Sequence, residues 1–465
     1  MIRSRSNLQT DRVYGIFEIR SIMKNQFLII GSFVAASGIA AVLVSFRATS
    51  PRETMLCHAP PPEVVKGCVF KTVYEGEGVD GEFTMATPAR VLQAETKALH
   101  WLVKAQGQDG GFGAGAHSRQ DIRDPHAVAT DPATTAMVGM AILRMGSTPQ
   151  KGEYAQQLAK LTNYLLQHVE QAGPQATNIT QLQGTQIQAK LGANIDVALT
   201  TQFLSNLSAK LDQQDPLKRR VLQAMNICTG IIQRAQNSDG SMQGDGWAGV
   251  LQSSFAANAL ESAKAQGAVV DDEALQQARD YSKQNFDVNS KSVATERAAG
   301  ITLYAVSGST RSAAVEAREA EEKLAKAKKD GKVKADAPVS VKELQDAGMS
   351  QTEAERLNTA YQVYNSAKVQ AQREDVISGF GNNGGEEFLS FLQTGESMII
   401  AKDQGWRNWY LSTTDRLLSI QNNDGSWQGH HCITSPVFCT ATSLLILSVN
   451  NDIEQLLAQG AVKYR

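Results

Sequence analysis

Apolar positions between residues 89 and 455 recur mostly at i, i+3 and i+4, the spacing of one face of an α-helix. Two kinds of segment alternate. One is amphipathic, as in ALHWLVKAQ, CTGIIQRAQ and TTDRLLSIQ; the other is apolar nearly all round. The pattern predicts amphipathic helices near residues 93–106, 154–170, 217–236, 272–285, 352–373 and 408–421. Apolar partners are predicted near 131–145, 196–207, 252–263, 293–306, 385–392 and 436–449. Paired helices with one apolar face each must stack to bury it. Six such pairs point to an all-α fold, an α6/α6 toroid with the apolar helices inside.

A short motif recurs where the amphipathic helices end. Its copies are Gln106, Asp109, Gly110 and Phe112; Gln236, Asp239, Gly240 and Met242; and Gln421, Asp424, Gly425 and Trp427, with a degenerate copy from Gln284 to Asp287. Asp-Gly makes a tight turn in which Gly takes positive φ just past the helix. The Gln amide serves backbone groups left open at helix ends, and the large apolar residue anchors the reversal. The first two clear copies lie 130 positions apart and the next two 185 apart, so extra residues sit in the second interval. They are visible at about 309–350, a charged, Ala-rich stretch. Its Glu and Lys spacing suits a solvated helical arm, with a partner-binding arm as the alternative.

The amino terminus differs. Residues 1–26 are basic, 27–46 carry no charge, and 47–88 read as an irregular, Pro-bearing linker to a toroid at 89–465. Twenty apolar residues span about 30 Å as a helix, the thickness of a bilayer core. The expectation is a transmembrane anchor, or a signal segment starting from Met1 or Met23. The positive flank holds the amino terminus in the cytoplasm and puts the bulk of the chain on the extracytoplasmic side. The membrane is thus an expected partner. Export would permit disulfides, with Cys57 and Cys68 as one possible pair.

The formal net charge of −2, with 42% apolar and 20% charged residues, excludes a disordered chain and a strongly basic nucleic-acid binder. Five Cys in 465 residues do not make a disulfide scaffold.

The Gln-x-x-Asp-Gly-[Ser/Gly]-aromatic turn after an amphipathic helix resembles the repeat of the protein prenyltransferase β-subunits and the squalene and oxidosqualene cyclases. SIQNNDGSWQGHHCITSPVFCTATSLLILSV is similar to their last repeat. The resemblance covers roughly residues 90–455 and implies an α/α toroid with a central apolar cavity. It implies no reaction, because toroids of several functions share the motif. The cyclases' D-x-D-D acid is absent, as are D-D-x-x-D and G-C-G-E-Q.

Prenyltransferases of this kind hold zinc through Asp, Cys and His. Here His430, His431 and Cys432 share one loop, with Cys439 close behind, and thiolate with imidazole suits zinc. A Cys432–Cys439 disulfide and plain polar packing are the alternatives. Glu296, Arg297, Glu386 and Glu387 are candidates for a cavity mouth, since charges on apolar helices are costly unless paired. Asp131 and Asp196 read as helix caps. The five Trp read as core anchors or as cavity lining. Three functions fit. The first is a tethered toroid that binds an apolar small molecule or a protein or peptide partner, or acts as a scaffold. The second is an isoprenoid-processing enzyme, with zinc possible. The third is a polysaccharide-active toroid.

Overall fold

The computed structural model describes residues 83–244 and 246–461. The basic terminus, the apolar segment 27–46, most of the linker and both Cys57 and Cys68 lie outside the described residues. Among the described residues no helix is long and apolar enough to cross a membrane.

The described chain is predominantly helical. Helix α1 (Ala89–Lys104) leads to α2 (Pro132–Arg144). Helix α3 (Ala155–Ala172) leads through the short α4 (Gln186–Leu191) to α5 (Ile195–Lys210), and α6 (Pro216–Arg234) to α7 (Gly249–Ala265). Then α8 (Asp272–Gln284) leads through the hairpin β1 (Phe286–Asp287) and β2 (Ser292–Val293) to α9 (Thr302–Lys329). Helices α10 (Val341–Asp346), α11 (Gln351–Ala371) and α12 (Glu374–Ile377) precede α13 (Gly385–Ile400). Finally α14 (Trp406–Ser419) leads to α15 (Pro436–Leu447), followed by α16 (Ile453–Gly460).

Helices α2, α5, α7, α9, α13 and α15 form the inner set. Each packs on the next, and α15 packs back on α2, so the described residues close a cycle. Every residue of α2 and of α15 is buried. Each fully buried Leu, Ile, Val or Phe contributes about 1.5–3 kcal/mol. The outer helices bury one stripe only: α1 does so through Val91, Ala94, Ala98, Leu99 and Leu102, and packs on α15. Asp131 and Ser435 cap α2 and α15 from outside, each followed by Pro at the first helical position.

The repeated turn acts as a hook onto the neighbouring outer helix. Gln106 Nε2 donates to the Gly110 carbonyl at 2.8 Å and to that of Gln157, in α3, at 3.0 Å. Gln236 donates in the same way to Gly240 and, at 2.9 Å, to Ala274 in α8. Gln421 donates to Gly425 at 2.9 Å and to Ala94 in α1 at 3.1 Å. The glycine is required twice over. Gly240 has φ +86, and a Cβ there would lie 2.1 Å from the Gln277 carbonyl oxygen. The large apolar residue ties the turn inwards, because Phe112, Met242 and Trp427 donate their N–H to Thr135, Ser253 and Thr440 of the inner helices.

The fourth repeat departs from the expectation. Its inner helix starts at Thr302, not near 293, because Ala299 and Gly300 take left-handed conformations and end the preceding turn. The degenerate copy at Gln284 becomes a strand hairpin instead of a hook. The insertion is no plain solvated arm either. Helix α9 runs unbroken from the ring into it, and Ala320, Leu324, Leu344 and Leu357 build a small core of their own. Glu316, 1% exposed, is buried there against Lys283 and Arg356.

Candidate functional site

The starts of the inner helices are stitched to one another, which gathers them on one face. Ala133 N donates to Asp196 at 3.1 Å, Asn194 N to Gln252 Oε1 at 2.8 Å, and Gly385 N to the Ile433 carbonyl at 3.0 Å. Tyr304, near the start of α9, donates its hydroxyl to Glu387 at 2.5 Å.

On this face Glu386, His431 and Cys432 come together, with one ligand atom of each lying within 4.8 Å of the others. Glu386 is in the first turn of α13; the other two belong to the loop before α15. Two hydrogen bonds hold the loop on the helix. One is from Gly385 N to Ile433 O, and the other, at 3.3 Å, is from Ile433 N to Glu386 Oε2.

The histidine is oriented for ligation. Its Nε2 lies 2.9 Å from the Asn382 carbonyl oxygen. A carbonyl only accepts, so Nε2 carries the proton. Nδ1 keeps its lone pair, and it is buried without a hydrogen-bond partner. Glu387 Oε2 lies 3.6 Å from the same Nε2 and accepts from Gly384 N at 2.9 Å, while Oε1 accepts from Phe380 N and Tyr304. This is the outer support that fixes a ligand imidazole. Phe380, 59% exposed, packs its ring 4.9 Å from that of His431.

The electrostatics are those of a partly buried acidic pocket. Burial, and then the charge of Glu387, push the Glu386 carboxyl up to about 8. Burial, then the charge of Glu386, push the Cys432 thiol up to about 11, against the pull of Lys190. Cys432 also has φ +58, a strained backbone for a residue with a Cβ. Lys190 is 3% exposed, and its Nζ sits 3.9 Å above the ring of Trp247, itself 64% exposed.

The other sequence candidates fall elsewhere. His430 is exposed and outside the cluster; its N–H donates to Asn383 O at 2.8 Å. Cys439 is buried, its thiol directed at the Ile433 carbonyl, 3.6 Å away. Cys228, Cys432 and Cys439 are free thiols, so the Cys432–Cys439 disulfide is not formed. Glu296 and Arg297 lie on a short 3-10 turn and not on an inner helix. Glu296 is exposed, while Arg297 covers the Tyr281 ring and donates to Met242 O. Asp131 caps α2, whereas Asp196 reaches across to α2 and Gln188. Burial raises both carboxyls, Asp131 to about 6 and Asp196 to about 7, the latter also through the charge of Asp131. Trp406, Trp409 and Trp427 are core anchors. Lys190 and Tyr304 were not foreseen; a Tyr on the otherwise apolar run ITLYAV was the available signal.

The centre of the ring is not the greasy lumen that the resemblance implies. The cavity touching all six inner helices has a volume of about 30 Å³, room for roughly one water. Its wall includes Arg144, Asn258, Arg311, Glu396 and Asp452, because ion pairs fill the lower half of the ring.

No protein-family profile matches the chain, and no curated protein matches it. Among solved structures, the type II terpene cyclase MstE from Scytonema, in its apo form, is similar at 11% identity. The alignment covers 78% of this chain and 98% of that one, with a TM-score of 0.30. An overlap this loose lends neither a residue nor a reaction.

Proposed function

We propose that the chain is an α6/α6 toroid whose working centre is a zinc site at the amino-terminal mouth, held by Glu386, His431 and Cys432. The observation that carries this reading is the approach of one ligand atom from each of three chemically suited residues to within 4.8 Å, beside which His431 keeps a buried ring nitrogen without a hydrogen-bond partner. Three protein ligands leave one position of a tetrahedral site open. Zinc held there supplies Lewis acidity and a bound water or thiol of lowered pKa.

The chain's own residues do the rest. Glu386 and Cys432 give up their protons on binding the cation. Glu387, fixed by Tyr304 and Gly384, holds His431 in place. Phe380 and Trp247 present apolar rings beside the site, so a ligand meets it from the mouth and not from the narrow centre. This supports an enzyme or binding protein that activates a donor atom of a ligand with an apolar part. Export and membrane tethering belong to the same reading through residues 1–52, and protease accessibility of the carboxy-terminal bulk in intact cells tests them.

The decisive test is elemental analysis of the full chain purified without chelators. One zinc per chain is expected, lost in His431→Ala, and cobalt substitution is expected to give a thiolate-to-metal absorption band that Cys432→Ser removes. A metal-free wild-type chain that takes up neither ion overturns the reading.

A further inference from the structure

The opposite end of the ring has no part in the site above. There the small central cavity widens past Asn206, Ser262, Gln455 and Gln459 into a groove of about 1010 Å³. Helix α16 contributes both glutamines and packs on α13, α9 and α7, so it forms one lip of the opening.

The buried charges of this end are matched among themselves, and Glu454, on the groove's rim, is exposed and outside them. Arg144 donates to Asp452 at 2.8 Å and to Glu396 at 2.6 Å. Lys210 reaches Asp452 at 3.0 Å, and Arg311 reaches Glu261 at 3.1 Å. An anion would meet these carboxylates and a cation the guanidinium groups, so neither gains a free buried counter-charge. An apolar ligand would strip water from amides and ion pairs without replacing their hydrogen bonds.

What remains unused is neutral hydrogen-bonding capacity. Arg311 lines the cavity, is 3% exposed, and keeps its Nε–H buried without an acceptor. Asn258 is 6% exposed and lines the same cavity. Its side-chain amide makes no hydrogen bond to the described residues. Gln459 faces both cavity and groove. An amide offers a donor and an acceptor together, and a buried donor left unmade is costly until a ligand satisfies it. Hydroxyls and amides both donate and accept without charge, and of the two a hydroxyl is close in size to the single water that the narrow end has room for.

We propose that this opening is a second binding site, for a neutral polyhydroxylated ligand of the oligosaccharide class. One hydroxyl enters the narrow end against Asn258 and the Nε–H of Arg311. The sugar rings lie in the groove, whose size suits a short oligosaccharide.

The test is ligand-observed saturation-transfer NMR on the full chain with maltotriose, cellotriose and chitotriose, with inorganic phosphate as the anionic control. At least one sugar is expected to bind with a Kd of millimolar order and phosphate not to compete. Asn258→Ala is expected to weaken binding about tenfold. Gln459→Ala, on a half-exposed lip, tests the same point if the buried variant does not fold, with a loss of about threefold expected. His431→Ala is expected to leave sugar binding intact, which separates this site from the metal centre. Absence of binding by all three sugars at about 10 mM, or equal binding by wild type and both variants, overturns the proposal.

Discussion

Gln421 and Ala94 are 327 residues apart in sequence, yet the side-chain amide of the first donates to the backbone carbonyl of the second at 3.1 Å. This bond joins the last outer turn to the first outer helix, as the corresponding bonds of Gln106 and Gln236 join their turns to the next outer helix along the chain. Beside it, Gly425 has φ +96, and a Cβ there would lie 2.8 Å from Lys97. Gln421→Ala removes one bond to each of two carbonyls and is expected to cost about 1–3 kcal/mol. Gly425→Ala adds backbone strain and a clash at the seam and should cost more. Urea denaturation checks both. Midpoints unchanged from wild type would show that the seam contributes nothing to stability.

Trp427 anchors the same turn from inside. It is fully buried, its indole N–H donates to Leu417 O at 2.8 Å, and its backbone N–H donates to Thr440 at 2.9 Å. Truncation leaves a cavity and takes one of two donors from the Leu417 carbonyl, which Ile420 N also serves at 3.2 Å. Trp427→Ala is expected to destabilise the chain by about 3–5 kcal/mol, and Trp427→Phe by less, since it keeps most of the ring volume. Thermal unfolding measures both; a Trp427→Ala chain that melts with wild type contradicts the anchoring role.

The hooks were legible in the sequence because one local chemistry repeats: Gln to bridge, Asp-Gly to turn, a large apolar residue to anchor. The helix pairs were legible for the same reason, since an all-round apolar helix has nowhere to go but inside. The fourth pair was misread because its motif is degenerate and the left-handed Ala299 leaves no composition signal. The contents of the lumen were misread because Arg144, Asp452 and Glu396 come from distant segments and neutralise one another only once folded. The candidate site was half legible. His431 and Cys432 stand next to each other in the chain, but Glu386 joins them through the bonds of Gly385 and of its own carboxylate with Ile433. His430 is exposed and Cys439 turns its thiol to the Ile433 carbonyl, neither of which spacing reports.

Cys432 offers a prediction in which stability and function move in opposite directions. Its φ of +58 is cheap for Gly and strained for Cys. Cys432→Gly is therefore expected to leave the metal-free chain as stable as wild type, or more stable by about 0.5–1 kcal/mol. The same change deletes a ligand and should abolish stoichiometric zinc. Paired measurements of melting temperature after chelation and of metal content test this. A Cys432→Gly chain that retains zinc would remove Cys432 from the centre.

The pH dependence of stability follows from buried carboxyls that are raised and not lowered. Glu95 is 2% exposed, its Oε1 has no hydrogen-bond partner, and burial raises it from 4.5 to about 7. The folded chain then holds this proton more tightly than the unfolded chain does. The stabilisation is complete below the unfolded value and is lost as pH rises through the folded one. At about 1.4 kcal/mol per unit, the loss from Glu95 alone reaches at most about 3 kcal/mol near pH 8. Asp131, Asp196 and Glu386 add slopes of the same sign. Glu95→Gln keeps the volume and never ionises. It is expected to match wild type near the unfolded pKa, at about pH 4.5, and to exceed it in urea midpoint near pH 8, with a shallower but not flat pH profile. Wild-type stability that rises across this window, or a Glu95→Gln profile parallel to wild type, would mean that the carboxyl is not held in its neutral form.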